Sequence, residues 1–152
     1  MLIHQSDIDV NNQLYYGFII RAVLLVESSF KRVPQVTESH KGSINFETKA
    51  AVKDNNLNVE LKFDYVAPET NPEVQVSIKM VGLFVKPDVD VVDREKENEF
   101  IGAHSIDLIY PYVRNHVSDL FLKASLAPIT LPYINFLERY RESVASADLN
   151  QH

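Results

Sequence analysis

Residues 108–136 read LIYPYVRNHVSDLFLKASLAPITLPYINF, and this stretch decides the architecture. Ile109, Val113, His116, Val117, Leu120, Phe121 and Ala124 recur at helical spacing, which predicts a helix over roughly 106–124. Pro111 lacks an N–H and crowds the carbonyl of Asp107, so it must kink that helix or sit in its first turn. A Pro-rich connector follows. Asn135, with Glu138 three residues on, then predicts an N-cap and capping box for a second helix whose apolar side is Phe136, Leu137, Tyr140 and Val144. The apolar residues do not stop between the helices: Leu126, Ile129, Leu131, Tyr133 and Ile134 sit on the connector. A connector runs over the surface, so an apolar one needs a cover, either this chain's own sheet or another polypeptide.

Upstream, the pattern changes period. Leu14 to Phe30 is rich in β-formers, and its centre, Phe18 to Val26, is apolar on both faces. Such a strand is covered on both sides by its own fold or by a partner. Three strands of period two come next. Ile44, Phe46, Thr48, Ala50 and Val52 share one face of the first, Leu57 to Tyr65 alternate in the second, and Val74 to Met80 alternate in the third. One wet and one covered face is antiparallel behaviour. Asp54-Asn55-Asn56 and Ala67 to Pro72 read as turns, Val33 to Gly42 and the charged Lys86 to Glu99 as solvated loops. Four strands and then two helices predict an α+β class: a four-stranded antiparallel sheet, a long kinked helix, a Pro-rich connecting loop and a C-terminal helix. The whole, 1–152, is expected to be a single domain, with 1–12 a flexible arm and 146–152 a disordered tail.

Composition narrows the function. A net charge of −6 with no basic stripe argues against nucleic acid. There is no cysteine, so neither a disulfide framework nor a thiolate metal site is expected. The longest fully apolar run, Ala22 to Val26, is too short to span a bilayer. No basic segment precedes an apolar run at Met1, so no signal peptide and a cytoplasmic location are expected. His4, His40, His104, His116 and His152 show no metal-ligand spacing. Gly17, Gly42, Gly82 and Gly102 build no phosphate loop, and no G-x-S-x-G occurs. No catalytic residue, metal or cofactor is therefore expected. A small-molecule site or enzyme would have only His104, His116 and tyrosines near apolar surface to support it. What remains is an apolar row on a strand and an apolar connector. They either fill the space between helix and sheet or form a trough for an extended peptide.

The ordered set Ile109-Tyr110-Pro111-Tyr112-Val113-Arg114, Val117-Ser118-Asp119-Leu120, Pro128 and Leu131-Pro132-Tyr133-Ile134-Asn135-Phe136 closely resembles the SecB family of protein-export chaperones. The four strands, with Gly82-Leu83-Phe84 ending the fourth, fit the same layout, and the likeness extends over roughly residues 18–142. The resemblance implies a chaperone that holds non-native polypeptides or preproteins without ATP, in grooves between the second strand and the connector. Carried over, groove residues are Ile44, Phe46, Thr48, Leu126, Ile129, Leu131, Tyr133 and Ile134. It also implies a homotetramer, a dimer of dimers, with interface residues Phe18, Ile20, Val23 and Leu25 on the first strand and Tyr112, Val113, His116 and Phe121 on the long helix. A further implied partner is the SecA ATPase, docked on an acidic sheet patch. Here Glu27 remains, but Lys31, Gln75 and Ser77 depart from that patch, Asp148 alone is left of an acidic tail, and Ala124 replaces the glycine that ends the long helix. Those departures weigh against SecA. They are compatible with relatives dedicated to one partner, such as an antitoxin.

Overall fold

The computed structural model describes residues 17–37, 42–86 and 94–150. The expected arm at 1–12, the 87–93 part of the charged excursion, His4, His40 and His152 lie outside the described residues. Four strands, β1 (Ile19–Arg32), β2 (Ser43–Lys53), β3 (Asn56–Ala67) and β4 (Val74–Val85), form one antiparallel sheet in the order β1-β4-β3-β2. β2, β3 and β4 are a meander of tight turns. Asp54 (φ 55°) and Asn71 (φ 53°) take the left-handed turn positions, which short polar side chains tolerate best after glycine. β1 pairs with β4 and β2 with β3, so these two are the sheet's edges.

The alternation read in β3 and β4 is observed; in β2 burial marks only Ile44 and Phe46 of the expected row, and Thr48, Ala50 and Val52 are exposed. Leu57, Val59, Leu61, Phe63 and Tyr65 of β3 are buried, and Val76, Ile78, Met80 and Phe84 of β4 stand opposite them on the same face. β1 does not alternate. Arg21 and Val26 have no partner on β4, and the register shifts at each. Each is the extra residue of a β-bulge, which reverses the parity of the residues after it. Two reversals, rather than burial on both faces alone, explain why apolar residues in β1 point both ways.

Three helices lie on one face: α1 (Arg94–Glu99), α2 (Ser105–Lys123) and α3 (Phe136–Asn150). The charged stretch expected to be loop is helical from Arg94. Phe100 explains it. Its ring is buried, stacked on Phe18 (centroids 4.4 Å) and edge-on to Phe84 (5.5 Å), and Lys86 pairs with Glu97 at 3.1 Å. A buried aromatic anchor outweighs the solvation of a charged run. A π turn, Phe100–His104, joins α1 to α2, the Ser105 N–H reaching back to the Phe100 carbonyl. Gly102 is needed there, because a Cβ would lie 2.3 Å from the Tyr140 ring that packs on it.

α2 buries Ile106, Ile109, Tyr110, Val113, Val117 and Phe121 against the sheet, while His116 and Leu120 are half-buried. Pro111 lies inside the helix on its exposed side, one turn in, not at its start. α2 ends in a Schellman motif. Ser125 is left-handed (φ 57°), its N–H bonds the Leu122 carbonyl (3.0 Å) and the Leu126 N–H bonds that of Phe121 (2.9 Å). The left-handed position is thus Ser125, not Ala124. Asn135 caps α3 as expected, its Oδ1 accepting the Glu138 N–H at 3.0 Å. α3 then continues through Ser146 to Asn150, where the composition suggested a disordered tail.

Candidate functional site

The connector between α2 and α3 is divided between core and surface. Leu131 is 3% exposed and closes the core. Leu126, Ile129 and Ile134 are half-buried against that core, and Tyr133 is 85% exposed. The Tyr110 hydroxyl donates to the Pro132 carbonyl at 2.7 Å. Between Ala127 and Ile134 no backbone hydrogen bond reaches another described backbone group. The segment is a strip held by side chains, its backbone open apart from the Pro132 carbonyl.

On β2, Ile44 and Phe46 are half-buried and Thr48 is exposed, all three on the helix-facing side. Phe46 meets Phe63 (5.4 Å), Tyr110 (5.7 Å) and Phe136 (6.0 Å), an aromatic cluster that ties β2, α2 and α3 together. The structure therefore joins the strand row to the core at Phe46 and leaves Thr48, Ala50 and Val52 open beyond it. Among the described residues, no strand pairs with the outer edge of β2.

A concavity beside the connector draws on only part of the expected groove set. A cleft of about 680 Å³ opens at the sheet end, floored by Tyr65, Ala67, Val74 and Phe121 and walled by Leu126 to Ile129. Its opposite wall is the β1–β2 link, with Val36 and Thr37, flanked by Arg32 and Glu73. Of the expected groove residues, Leu126 and Ile129 line it, while Ile44, Phe46 and Thr48 do not. From sequence, Tyr65 read as a core-facing strand residue and Phe121 as an interface residue of the long helix. Val36, an apolar residue in a polar loop, was the one available sign of the far wall. A smaller cleft, about 290 Å³, lies on the other side of the connector, among Pro111, Arg114, Asn115, Ser118 and Pro128 to Leu131.

The expected interface residues also divide. Phe18, Val113 and Phe121 are buried in the subunit's core, Phe121 at the floor of the cleft. Val113 and Phe121 face the sheet, and Phe18 stacks on Phe100. Ile20, Leu25 and Tyr112 are exposed; Val23 and His116 are half-buried. Ile19, Leu24 and Val26, within the stretch read as apolar on both faces, are exposed as well. His116 Nε2 lies 2.8 Å from Ser28 Oγ of β1. Burial holds its pKa below the ordinary imidazole range; Asp119 opposes that and Lys123 adds to it.

The outer sheet face is charge-balanced. Lys79 sits between Glu27 and Glu60, 3.6 Å from each. Glu47 stands opposite Lys62 and Lys49 opposite Glu60. Lys31 pairs in register with Gln75, and Ser77 with Ser29. Opposite charges facing across strands neutralise each other locally, so no acidic field builds up there. Among the described residues no helix is long and apolar enough to cross a membrane.

Residues 18–147 match the family model described as preprotein translocase subunit SecB. The chain is 37% identical over 67 residues to the protein-export protein SecB of Alcanivorax borkumensis, an overlap covering 44% of this chain and 41% of that one. It spans about two-fifths of the length of the curated SecB relatives it matches. It is 26% identical over 120 residues, 72% of each chain, to an uncharacterized protein of Methanocaldococcus jannaschii. Among solved structures, a SecB-like chaperone of Mycobacterium tuberculosis, in complex with a peptide from an antitoxin, superposes with a TM-score of 0.68. That likeness covers 83% of this chain and 97% of the other at 19% identity, and it is one of fold.

Proposed function

The chain belongs to the SecB family, and from that premise we propose that it is an ATP-independent holding chaperone whose client site is the connector and the cleft beside it. One observation carries the reading. Leu126, Ile129 and Ile134 are half-covered on a strip whose backbone, from Ala127 to Ile134, bonds no other described backbone group, the Pro132 carbonyl accepting from Tyr110. An extended client segment can bury apolar side chains there and bond the open backbone, without demanding a sequence. Each fully buried client side chain contributes about 1.5–3 kcal/mol, against an association cost of about 4–15 kcal/mol. Several anchored side chains are needed before binding breaks even. Folded proteins have none to offer; unfolded chains do, and several sites on one oligomer multiply the effect.

The oligomer we propose is a homotetramer built as a dimer of dimers. β1 is a 14-residue edge bearing exposed Ile19, Leu24, Leu25 and Val26. A long apolar edge left open invites another strand. A cytoplasmic site of action goes with this reading.

The charge-balanced outer face favours a second reading of the partner. A basic docking module would find no acidic surface among Glu27, Lys31, Gln75, Ser77 and Lys79. The chain then serves a dedicated client, as the mycobacterial neighbour binds an antitoxin peptide, rather than delivering preproteins to SecA.

The test is suppression of aggregation of a chemically unfolded protein. Ile129→Asp and Ile134→Asp should each raise the chaperone concentration needed for half-suppression several-fold, with circular dichroism unchanged. Parent-like suppression by both folded variants would remove the connector from the client site.

A further inference from the structure

One side chain ties the connector to the far wall of the cleft. Arg32, the last residue of β1, donates from Nε to the Val33 carbonyl (3.0 Å), from Nη2 to the Pro34 carbonyl (3.0 Å) and from Nη1 to the Ala124 carbonyl. Val33 and Pro34 begin the β1–β2 link. Ala124 is the C-cap of α2, where the connector departs. Arg32 itself is half-buried and lines the cleft. Across the opening, the Glu73 carboxylate accepts the Thr37 N–H and hydroxyl, both at 3.0 Å, and the Glu73 carbonyl accepts the Val33 N–H at 2.9 Å. The link is therefore fixed to the sheet by Glu73, and the connector is fixed to the link by Arg32.

We propose that Arg32 is the positioning residue of the client site: it holds the start of the connector at a set distance from the β1–β2 link, so that the cleft is formed before a client arrives. The proposal rests on the chaperone reading above. Beyond the helix-ending bonds of Ser125 and Leu126, two side chains bond the connector among the described residues, Arg32 at Ala124 and Tyr110 at Pro132. Its own backbone supplies none between Ala127 and Ile134. Losing Arg32 frees the near end, and the ordering it provided must then be supplied at each binding event. The guanidinium fork serves three carbonyls at once, and its charge suits a helix C-terminus. A lysine ammonium has no such fork.

The experiment uses the full chain with Arg32→Met, Arg32→Lys and, as a control on the opposite sheet face, Lys31→Met. The readouts are amide exchange by NMR and the affinity of an unfolded, non-aggregating client protein. Arg32→Met should speed exchange of the hydrogen-bonded Ser125 and Leu126 amides about tenfold, leave β3 and β4 amides unchanged, and weaken the client about five- to tenfold. Arg32→Lys should recover less than half of either effect, and Lys31→Met should match the parent. A purely structural Arg32 would speed exchange in β3 and β4 as well, and that result overturns the proposal. So does faster connector exchange with unchanged client affinity, or no change in exchange. Should the parent hold no client at all, the chaperone reading fails by itself, and the exchange of Ser125 and Leu126 still decides whether Arg32 fixes the connector.

Discussion

The Tyr110 hydroxyl donates to the carbonyl of Pro132, 22 residues along the chain, at 2.7 Å. Tyr110 is buried on the sheet side of α2, and Pro132 is on the connector, so this bond fastens the apolar strip to the core. Burial raises the Tyr110 pKa, with Arg114 opposing it, so the phenol stays a donor through the physiological range. Tyr110→Phe keeps the ring contacts with Phe46 and Phe136 and deletes the bond. It should cost about 0.5–1.5 kcal/mol, read as a lower urea midpoint with an unchanged slope.

Ser125 carries a left-handed strain that a glycine would avoid. Ser125→Gly should raise stability by roughly 0.5–1 kcal/mol, the strain of a non-glycine residue at positive φ less the added freedom of the unfolded chain. Thermal denaturation checks this. A lower midpoint would mean that the Ser125 side chain contributes more than its backbone costs.

Gly102 is the reverse case. Gly102→Ala places a methyl against the Tyr140 ring, where it cannot fit without moving α3. Overpacking of this kind costs about 1–3 kcal/mol. Adding Tyr140→Ala should restore part of the loss, so the two changes together should cost less than their sum.

His116 makes stability fall in mild acid. Its folded pKa lies below the unfolded value, so the unfolded chain binds the extra proton first. The contribution is complete above about pH 6.5, the ordinary imidazole value, and is lost as pH falls through the folded pKa. Urea midpoints measured from about pH 7.5 down to about 5.5, a window spanning that value, should fall more steeply for the parent than for His116→Gln.

β1 bears the assembly claim. Leu25→Asp, on the exposed edge strand, should lower the mass seen by light scattering below that of a tetramer while circular dichroism is retained. A parent mass for this variant would take β1 out of the interface.

Much of this molecule was readable from residue order because local pattern and burial agree. β3 alternates at every position, Val113 and Val117 fall on the helical stripe, and Asn135 caps where its side chain and Glu138 predicted. Reading failed where distant contacts decide. The bulges at Arg21 and Val26 answer to the β4 register, not to β1's own composition. Arg94–Glu99 is helical because Phe100 is anchored between Phe18 and Phe84. The cleft joins Val36, Tyr65, Phe121 and Leu126, residues whose meeting no spacing rule announces. Leu131 shows the same limit, since a connector position cannot declare from sequence whether its side chain points in or out.

The strand order has a consequence for how the chain comes off the ribosome. β1 is made first, yet its partner β4 is the last strand of the sheet to be synthesised. The hairpins β2–β3 and β3–β4 close short loops and can form while β1 waits, whereas joining β1 to β4 closes a much longer one. During that wait Ile19 to Val26 are an unpaired greasy tape. The chain thus passes, in its own birth, through a stage in which this apolar segment has no strand to cover it.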